Sequence, residues 1–446
     1  MAPTNQSHSG LSRLLQQVRL PNSWLPEMVR SLGGVSPQEI GLLLKSITSK
    51  RRPKVVPPIN GDFYDIADTL SAEEQAIQQQ IRTYMEQRVR PLAAEYWERG
   101  EFPHELVPSF GRLIGETFGR QPYAIDALGP TLTGIACMEM ARVDASIYTF
   151  FGVHWGLCMG SISMFGSDAQ KAQWLPAMQR FDLIGSWALT EPNIGSATAA
   201  GMETTARQEN GQWILNGAKK WSGNAPIADV NVIFARDVTN HKVAAFLVER
   251  GTPGYHVEKL EGKISLRVVQ NADIRLENCK VPAANRLPGV TSFRDVARQL
   301  AVTRAAVAWA MTGVAMGAYE RTLDYANQRI QFGRPIAAFQ MVQNGLVQML
   351  ANVTAMQTMC MRMSQLYARD GKISHERASL AKVFCGEKMR ETVSIGRGLL
   401  GGNGILLEHE VARYFADAEA LYSYEGTHEM NTLIVGRAIT GIGAFI

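Results

Sequence analysis

The sequence predicts an α+β protein in which a β-rich segment separates two helical segments. Apolar residues recur at helical spacing over residues 62–183 and again over residues 291–446. Between them, residues 184–290 contain short apolar runs separated by turn-forming residues, which is typical of strands. A chain of 446 residues is long enough for such an arrangement with a large buried core.

The first helical domain is predicted over residues 62–183. It begins at Ser71-Ala-Glu-Glu-Gln75, where a capping residue precedes early carboxylates, and helical periodicity continues through Val89. Thr131–Val143 and Tyr148–Phe165 are also predicted to be helical, with Gly and Pro marking the breaks between helices.

A small central β-barrel is predicted over residues 184–290. Turn-forming pairs such as Asn210-Gly211 and Asn216-Gly217 separate short runs of strand character. These runs are Trp213–Trp221, Val230–Ala235, Lys242–Val248 and Asp273–Leu276. Roughly four to seven such strands make a small barrel or a sandwich.

A C-terminal four-helix bundle is predicted over residues 291–446. Val296–Arg329 and Phe339–Arg369 carry Ala, Val and Met at helical spacing, and the block is long enough for four helices. The Met-rich stretch Met341–Met363 is interpreted as core of this bundle rather than as a cofactor site.

Charge and cysteine usage exclude several classes of function. The net charge of +4 has mixed signs along the chain, which argues against nucleic-acid binding. The five cysteines are odd in number and lack zinc-ligand spacing, so we expect free thiols, a reducing compartment and no metal site. Since no uninterrupted apolar run reaches ~18 residues, no membrane span is predicted.

Residues 1–61 are predicted to be an N-terminal extension and linker that ends in the basic, proline-rich Lys50–Pro58. Residues 1–26 contain no Asp or Glu, which is typical of a transit peptide, although a solvated tail has the same composition. The C-terminal Gly443–Ile446 is not a peroxisomal address. We expect an intracellular protein, mitochondrial or peroxisomal in a eukaryote and cytoplasmic in a bacterium.

The strongest candidate for chemistry is Glu425, within Tyr424-Glu-Gly-Thr427. A carboxylate among aromatic and small residues can be desolvated, which raises its pKa and makes it a proton acceptor. The alternative is an ordinary helix start, with Thr427 as the N-cap and Glu425 in solvent.

Four further motifs each allow a functional and a structural interpretation. The Arg of Arg329–Gly333 and the glycine cluster Gly401–Gly404 can each bind phosphate or end a helix. The Trp of Lys220–Asn224 can stack on a cofactor or fill the core. A hydroxyl beside a Gly-Ser pair can donate to a cofactor or form an ordinary turn. The motifs are Trp187–Ser196, Lys220–Asn224, Arg329–Gly333 and Gly401–Gly404.

In combination the motifs resemble the acyl-CoA dehydrogenase and acyl-CoA oxidase family over about residues 65–446. The resemblance is greatest to glutaryl-CoA dehydrogenases and plant short-chain peroxisomal acyl-CoA oxidases. It depends on four motifs in the family's order, Ala188–Pro192, Arg329-x-x-Phe332-Gly333, Gly401–Gly404 and Tyr424–Thr427. Supporting residues are Arg142-Val-Asp144, Leu287–Val290 and Gly436–Phe445.

The resemblance implies a homo-oligomer, usually a tetramer, with FAD bound between the β-domain and the bundle. Thr190 and Ser196 would hydrogen-bond the flavin or its phosphates, Trp221 would lie against the isoalloxazine, and Thr427 would contact the pyrophosphate side. The residues implied to meet the FAD of a neighbouring subunit are Arg329, Phe332, Gln340, Gly401 and Gly402.

The resemblance also implies α,β-dehydrogenation of an acyl-CoA thioester, with electrons passing to electron-transfer flavoprotein or to O2. Glu425 would remove the α-proton while the flavin accepts the β-hydrogen as hydride. Some relatives place the base immediately before Arg304, where this chain has Thr303, so Glu425 is the candidate by motif. The residues implied to contact the substrate are Arg304, Tyr148, Tyr424 and Gly426.

Three departures from the family pattern bear on function. Tyr148 stands where glutaryl-CoA dehydrogenases carry an Arg for the distal carboxylate, so no glutaryl-CoA decarboxylation is expected. Ala197 and Ser222-Gly223 replace residues beside the flavin. These changes keep two alternatives open, a biosynthetic flavoenzyme (a desaturase of a non-CoA or carrier-bound substrate, or a monooxygenase) and a relative that has lost FAD.

Overall fold

A computed structural model describes residues 60–119, 123 and 128–444 of the chain. The predicted N-terminal extension and its transit-peptide composition lie almost entirely outside the described residues.

The first helical region begins where the sequence predicts. Ser71 Oγ accepts from the Glu74 amide, and the Ser71 amide donates to Glu74 Oε2 at 2.8 Å, which forms a capping box. Two π-helical segments, Met85–Val89 and Gly152–Met159, interrupt helices that the periodicity predicted as continuous. The α-helices are α1 (Ala72–Tyr84), α2 (Arg90–Arg99), α3 (Val107–Phe118), α4 (Pro130–Val143), α5 (Ala145–Phe151), α6 (Gly160–Phe165) and α7 (Asp168–Gln179).

The central region is a curled seven-stranded sheet with strand order β1-β4-β2-β3-β7-β6, in which β5 pairs with β4. Both sheet faces are buried, because Val232 and Phe234 of β4 pack on the helical core while Ile233 and Ala235 face the sheet interior. The elements are β1 (Gly185–Ala188), α8 (Thr198–Gly201), β2 (Thr205–Glu209), β3 (Gln212–Gly223), β4 (Val230–Asp237), β5 (Val243–Glu249), β6 (Tyr255–Lys259) and β7 (Asn271–Pro282).

The last region is a helical bundle arranged around one long central helix. That helix packs on α4 so closely that a Cβ at Gly313 would lie 2.1 Å from the Met138 carbonyl oxygen. The elements are α9 (Phe293–Gln328), the hairpin β8 (Ile330–Gln331) and β9 (Arg334–Pro335), α10 (Gln340–Asp370), α11 (His375–Leu399), α12 (Val411–Ser423) and α13 (His428–Thr440). The predicted α+β order of helices, β-structure and helices is therefore confirmed.

Within the described part of the chain, α9 is the one helix long and apolar enough, by length and composition, to cross a membrane. Of its most apolar 18-residue window, 83% is buried inside the protein. Burial in the core therefore accounts for its apolar composition.

Buried ion pairs connect the first helical region to the bundle. Arg413 of α12 pairs with Asp144 at 2.7 Å, and each side chain is 1% exposed. Arg142 pairs with Glu139 of its own helix at 3.1 Å and with Glu320 of α9 at 2.6 Å. A buried ion pair costs several kcal/mol when one partner is lost, so these contacts hold α12, and the turn that follows it, in place.

Candidate active site

The turn that carries Glu425 joins α12 to α13. Thr427 Oγ1 accepts from the Met430 amide at 3.2 Å, so Thr427 is the N-cap of α13. Glu425 has a left-handed φ of 56° and Gly426 a φ of 80°. A left-handed backbone is costly for a residue other than glycine, and such residues concentrate at active sites.

The Glu425 carboxylate is held by Thr303, whose Oγ1 donates to Oε2 at 3.0 Å. Burial raises the pKa of Glu425 above its ordinary value, although Arg304, Thr303 and Lys382 each lower it. The predicted role of Thr427 as an N-cap is confirmed. The alternative that placed Glu425 in solvent is wrong, because Glu425 is partly buried.

Cations and an amide from three helices hold the backbone of the turn. Arg304 Nε of α9 donates to the Glu425 carbonyl at 3.3 Å. Lys382 Nζ of α11 donates to the Gly426 carbonyl at 2.9 Å and to the Tyr422 carbonyl at 3.1 Å. Asn431 Nδ2 of α13 donates to the Gly426 carbonyl at 2.8 Å.

Motif reasoning missed Lys382 and Asn431. Burial lowers the pKa of Lys382 to about 7, with Glu425 and Arg304 as its charged neighbours. The sequence did contain a feature that indicates Lys382, since it stands at an apolar helical position between Ala378 and Cys385. A lysine buried at such a position needs a partner.

Glu425 borders a cavity of about 90 Å³ whose walls are almost entirely apolar. Tyr148 and Tyr424, both predicted to contact substrate, also line it, together with Thr303. Among the described residues of the lining, Glu425 is the one charged side chain, so no described cation faces a ligand's distal end. The cavity suits an uncharged apolar group.

Arg304 and Gly426, also predicted to contact substrate, hold the turn rather than line this cavity. The Arg304 side chain is buried, with contacts to the Glu425 carbonyl and to Ser379 Oγ at 3.3 Å. Gly426 is exposed, and its carbonyl is the acceptor that Lys382 and Asn431 share.

An exposed ledge on the β-domain contains three of the predicted cofactor residues. Trp221 has a left-handed φ of 62° at a bulge in β3 and is 54% exposed, so the core-filling interpretation is wrong. The Lys220 amide donates to the Thr190 carbonyl at 2.8 Å, which places Thr190 beside this ring, and Ser196 is exposed in the same loop. Donor hydroxyls beside an accessible ring fit a flavin.

Glu191, within the Ala188–Pro192 motif, supports the ledge. Its carboxylate is 2% exposed and pairs with Lys219 Nζ at 2.8 Å. It also accepts from the Glu203 and Thr204 amides, at 2.6 and 2.9 Å. Glu191 therefore fixes the loop that carries Thr190.

The ledge adjoins the cavity through Gly223. A Cβ at Gly223 would lie 3.0 Å from Val153 Cγ2, and Val153 lines the cavity. The preceding Ser222 is 2% exposed, and its hydroxyl finds no hydrogen-bond partner among the described residues. The hydroxyl is thus enclosed in protein rather than presented on the ledge.

The residues predicted to meet a neighbouring FAD lie at the other end of α9. At 1.5 Å per residue, the helix between Thr303 and Arg329 spans about 39 Å. Asn403 Nδ2 donates to Tyr325 OH at 2.9 Å, which joins the glycine cluster to the hairpin end of α9. Of this group, Phe332 is 92% exposed at the hairpin tip. Exposed with it are Arg329, Gln340, Gly401 and Gly402.

Family models match most of the chain in the order of its structural regions. The N-terminal domain of acyl-CoA dehydrogenase matches residues 71–182, the middle domain residues 186–279 and the C-terminal domain residues 293–440. The chain belongs to the acyl-CoA dehydrogenase family.

Relatives of known sequence cover nearly the whole family region. The acyl-CoA dehydrogenase of Bacillus subtilis (strain 168) is 31% identical, over 83% of this chain and 99% of the relative. The human mitochondrial short-chain specific acyl-CoA dehydrogenase is 32% identical, over 82% of this chain and 90% of the relative.

Solved structures agree with this membership. A glutaryl-CoA dehydrogenase from Mycobacterium smegmatis has a TM-score of 0.82 and 35% identity, over 87% of this chain and all of that one. A glutaryl-CoA dehydrogenase of the same organism in complex with FADH2 has a TM-score of 0.82 and 31% identity, over 86% of this chain and 98% of that one. The acyl-CoA dehydrogenase fold and the FAD cofactor predicted from the sequence are confirmed, and the chemistry of the family is flavin-dependent acyl-CoA dehydrogenation.

Proposed function

We propose that this protein converts a short-chain acyl-CoA thioester to the trans-2-enoyl-CoA, with Glu425 as the base that removes the α-proton. The observation that carries the proposal is the position of the Glu425 carboxylate, which is partly buried, has a raised pKa and lies at the wall of a small apolar cavity. A carboxylate with a raised pKa is a better proton acceptor at neutral pH than one in water.

The turn prepares Glu425 for this role. Thr303 engages Oε2 and so orients the carboxylate. Arg304, Lys382 and Asn431 hold the surrounding carbonyls, which maintains the left-handed backbone without rearrangement during proton transfer.

FAD, when bound, supplies the acceptor for the β-hydrogen. Thr190, Ser196 and Trp221 on the ledge would hold it beside the cavity, and Thr427 would border it at the start of α13. The Trp221 ring would cover one face of the flavin and exclude solvent from it.

The cavity supports a monocarboxylic, short-chain substrate. Its small volume limits the acyl chain, and the described lining has no cation to compensate a distal carboxylate. We therefore propose that glutaryl-CoA is not decarboxylated, although glutaryl-CoA dehydrogenases are among the relatives. Turnover of glutaryl-CoA as fast as butyryl-CoA would contradict this.

We propose a dehydrogenase that uses electron-transfer flavoprotein, since the relatives named above are dehydrogenases. Stopped-flow mixing of the substrate-reduced enzyme with O2 tests it, because slow reoxidation by O2 with rapid reaction toward electron-transfer flavoprotein is expected. Rapid reoxidation by O2 would instead identify an acyl-CoA oxidase.

The substitution Glu425→Gln tests the proposed base. The variant keeps the size of the side chain, so it should bind FAD as the wild type does. Reduction of the flavin by butyryl-CoA, followed as loss of its visible absorbance, should fall by at least about 10⁴-fold, because the amide cannot accept the proton. Bleaching at the wild-type rate would refute the assignment.

A second candidate is a biosynthetic flavoenzyme that acts on a non-CoA substrate. The enclosed Ser222 hydroxyl and the side-chain-free Gly223 beside the flavin ledge favour it. Wild-type protein that binds FAD but is not bleached by butyryl-CoA or hexanoyl-CoA would support this candidate over the first.

A further inference from the structure

The cavity beside Glu425 extends along α9 toward Trp309. Thr303, which holds the Glu425 carboxylate, and Trp309 both line the cavity. The helical rise separates these two residues by about 9 Å. Trp309 is the last described residue of α9 in the lining, and its side chain is 1% exposed. Its indole therefore forms the part of the cavity wall that lies farthest along α9 from Thr303.

Two residues on neighbouring helices determine where the indole lies. A Cβ at Gly134 of α4 would lie 2.1 Å from Trp309 Nε1, so the ring occupies space that any other residue at this position would take. Trp309 Nε1 donates to Ser364 Oγ of α10 at 3.0 Å. The contact with Gly134 and the hydrogen bond to Ser364 together hold one ring orientation.

The volume that remains is small. A cavity of about 150 Å³ holds benzene, with its six carbon atoms. The 90 Å³ next to Glu425 therefore accommodates about three to four carbon atoms.

We infer that Trp309, positioned by Gly134 and Ser364, is the residue that limits the acyl group to about four carbons. The inference rests on the proposed function and deepens it, since it names an uncharged short-chain acyl thioester as the substrate class. Butyryl-CoA is the expected best substrate of the wild type among straight-chain thioesters.

The substitutions Trp309→Leu and Trp309→Phe test the inference in the FAD-loaded enzyme with butyryl-, hexanoyl-, octanoyl- and decanoyl-CoA. One methylene in a hydrophobic pocket changes specificity by about 10- to 200-fold. We therefore expect the kcat/KM ratio of octanoyl-CoA to butyryl-CoA to rise at least about tenfold in Trp309→Leu, and less in Trp309→Phe. Trp174→Leu is the matched control, because Trp174 is a buried tryptophan of α7 outside the cavity lining, so its ratio should stay at the wild-type value.

Gly134→Ala provides the opposite change. Gly134 lines the cavity beside Trp309, so the added methyl takes up cavity volume and crowds the indole. The hexanoyl-to-butyryl ratio should therefore fall below that of the wild type. In the Trp309→Leu background the same methyl meets no indole, so the hexanoyl-to-butyryl ratio should fall by less than it does in the wild-type background.

The outcomes separate the inference from the proposed function. Wild-type holoenzyme that none of the four thioesters bleaches would end the proposed function itself. Bleaching by butyryl-CoA combined with wild-type ratios in the Trp309 variants would overturn the inference alone. If neither Trp309 variant retains FAD, the test is made with Gly134→Ala. An unchanged hexanoyl-to-butyryl ratio in that variant would overturn the inference about Trp309.

Discussion

At the scale of single residues, the reactivity of Glu425 is a balance between burial and three neighbours. Burial raises its pKa, while the charges of Arg304 and Lys382 and the Thr303 hydroxyl lower it. Lys382 also faces Glu429 of α13, whose carboxylate favours the protonated lysine. The net result is a pKa of Glu425 above that of a carboxylate in water, which makes the group more basic.

Removal of the Lys382 charge should therefore change the pH dependence of catalysis. The ionised carboxylate is the reactive form, so kcat/KM decreases as the pH falls through the pKa of Glu425. In Lys382→Met, Arg304 and the Thr303 hydroxyl remain to oppose burial. The pKa of Glu425 therefore rises, and the acidic limb of the profile moves to higher pH. The loss of two hydrogen bonds to the turn should also lower kcat/KM at pH 8 by about 10- to 100-fold.

The matched control for this prediction is Lys388→Met, a partly exposed lysine of the same helix that pairs with Glu391. Its profile should coincide with that of the wild type. An acidic limb that does not move in FAD-loaded Lys382→Met would show that the Lys382 charge does not act on Glu425.

At the scale of elements, α9 organises the molecule because it packs so closely on α4 that no side chain fits at two positions of the contact. Gly313 and Gly317 provide this approach, since a Cβ at either would lie 2.1 Å from a carbonyl oxygen of α4. The same helix carries Thr303 and Arg304 near its start and leads to Arg329 at its end. A shift of α9 against α4 would therefore move the base and the cavity wall together.

Gly313→Ala should destabilise the protein, because the new methyl meets backbone of α4 that cannot move aside as a side chain can. We expect a loss of about 1–3 kcal/mol in the free energy of unfolding, measured by denaturant titration. Gly115→Ala on α3 is the control, since a Cβ there has no atom within 4 Å and should stabilise by about 0.4–1 kcal/mol. Equal effects of the two substitutions would show that α9 and α4 can separate without cost.

At the scale of the whole molecule, the residues predicted to bind the flavin fall into two halves that lie apart in one chain. Thr190 and Trp221 lie on the ledge and Glu425 borders the cavity. Arg329 and Phe332 are exposed about 39 Å along α9 from Thr303. We propose that the halves meet between subunits of a homo-oligomer, a tetramer by the resemblance. The exposed Phe332 would then be covered in the assembly.

Mixed oligomers should test this arrangement. Glu425→Gln alone should lack activity, and Arg329→Ala alone should bind FAD weakly. Co-expression of the two chains with different tags should restore bleaching by butyryl-CoA, because some sites then combine an intact Glu425 with an intact Arg329 from another chain. As a control, co-expression should not restore bleaching when one of the two chains carries both substitutions. Absence of recovery in mixed oligomers isolated by both tags would place both residues in the site of one chain.

Much of the fold and part of the site followed from local sequence. The capping box at Ser71 and the strand runs predicted elements that the structure contains, because capping and periodicity depend on neighbouring residues. The bulge at Trp221, the π-helical segments and the contacts of Lys382 were not predictable in this way. They depend on residues distant in the chain.

Periodicity and motifs were enough to predict the α+β order, the family, its FAD cofactor and Glu425 as the candidate base. The packing of the folded chain was needed to show that Glu425 is partly buried and hydrogen-bonded to Thr303, that Trp221 is exposed, and that Trp309 lines the cavity. The physical reason is that motifs record local chemistry, whereas burial, charge balance and cavity depth arise where distant segments pack against each other.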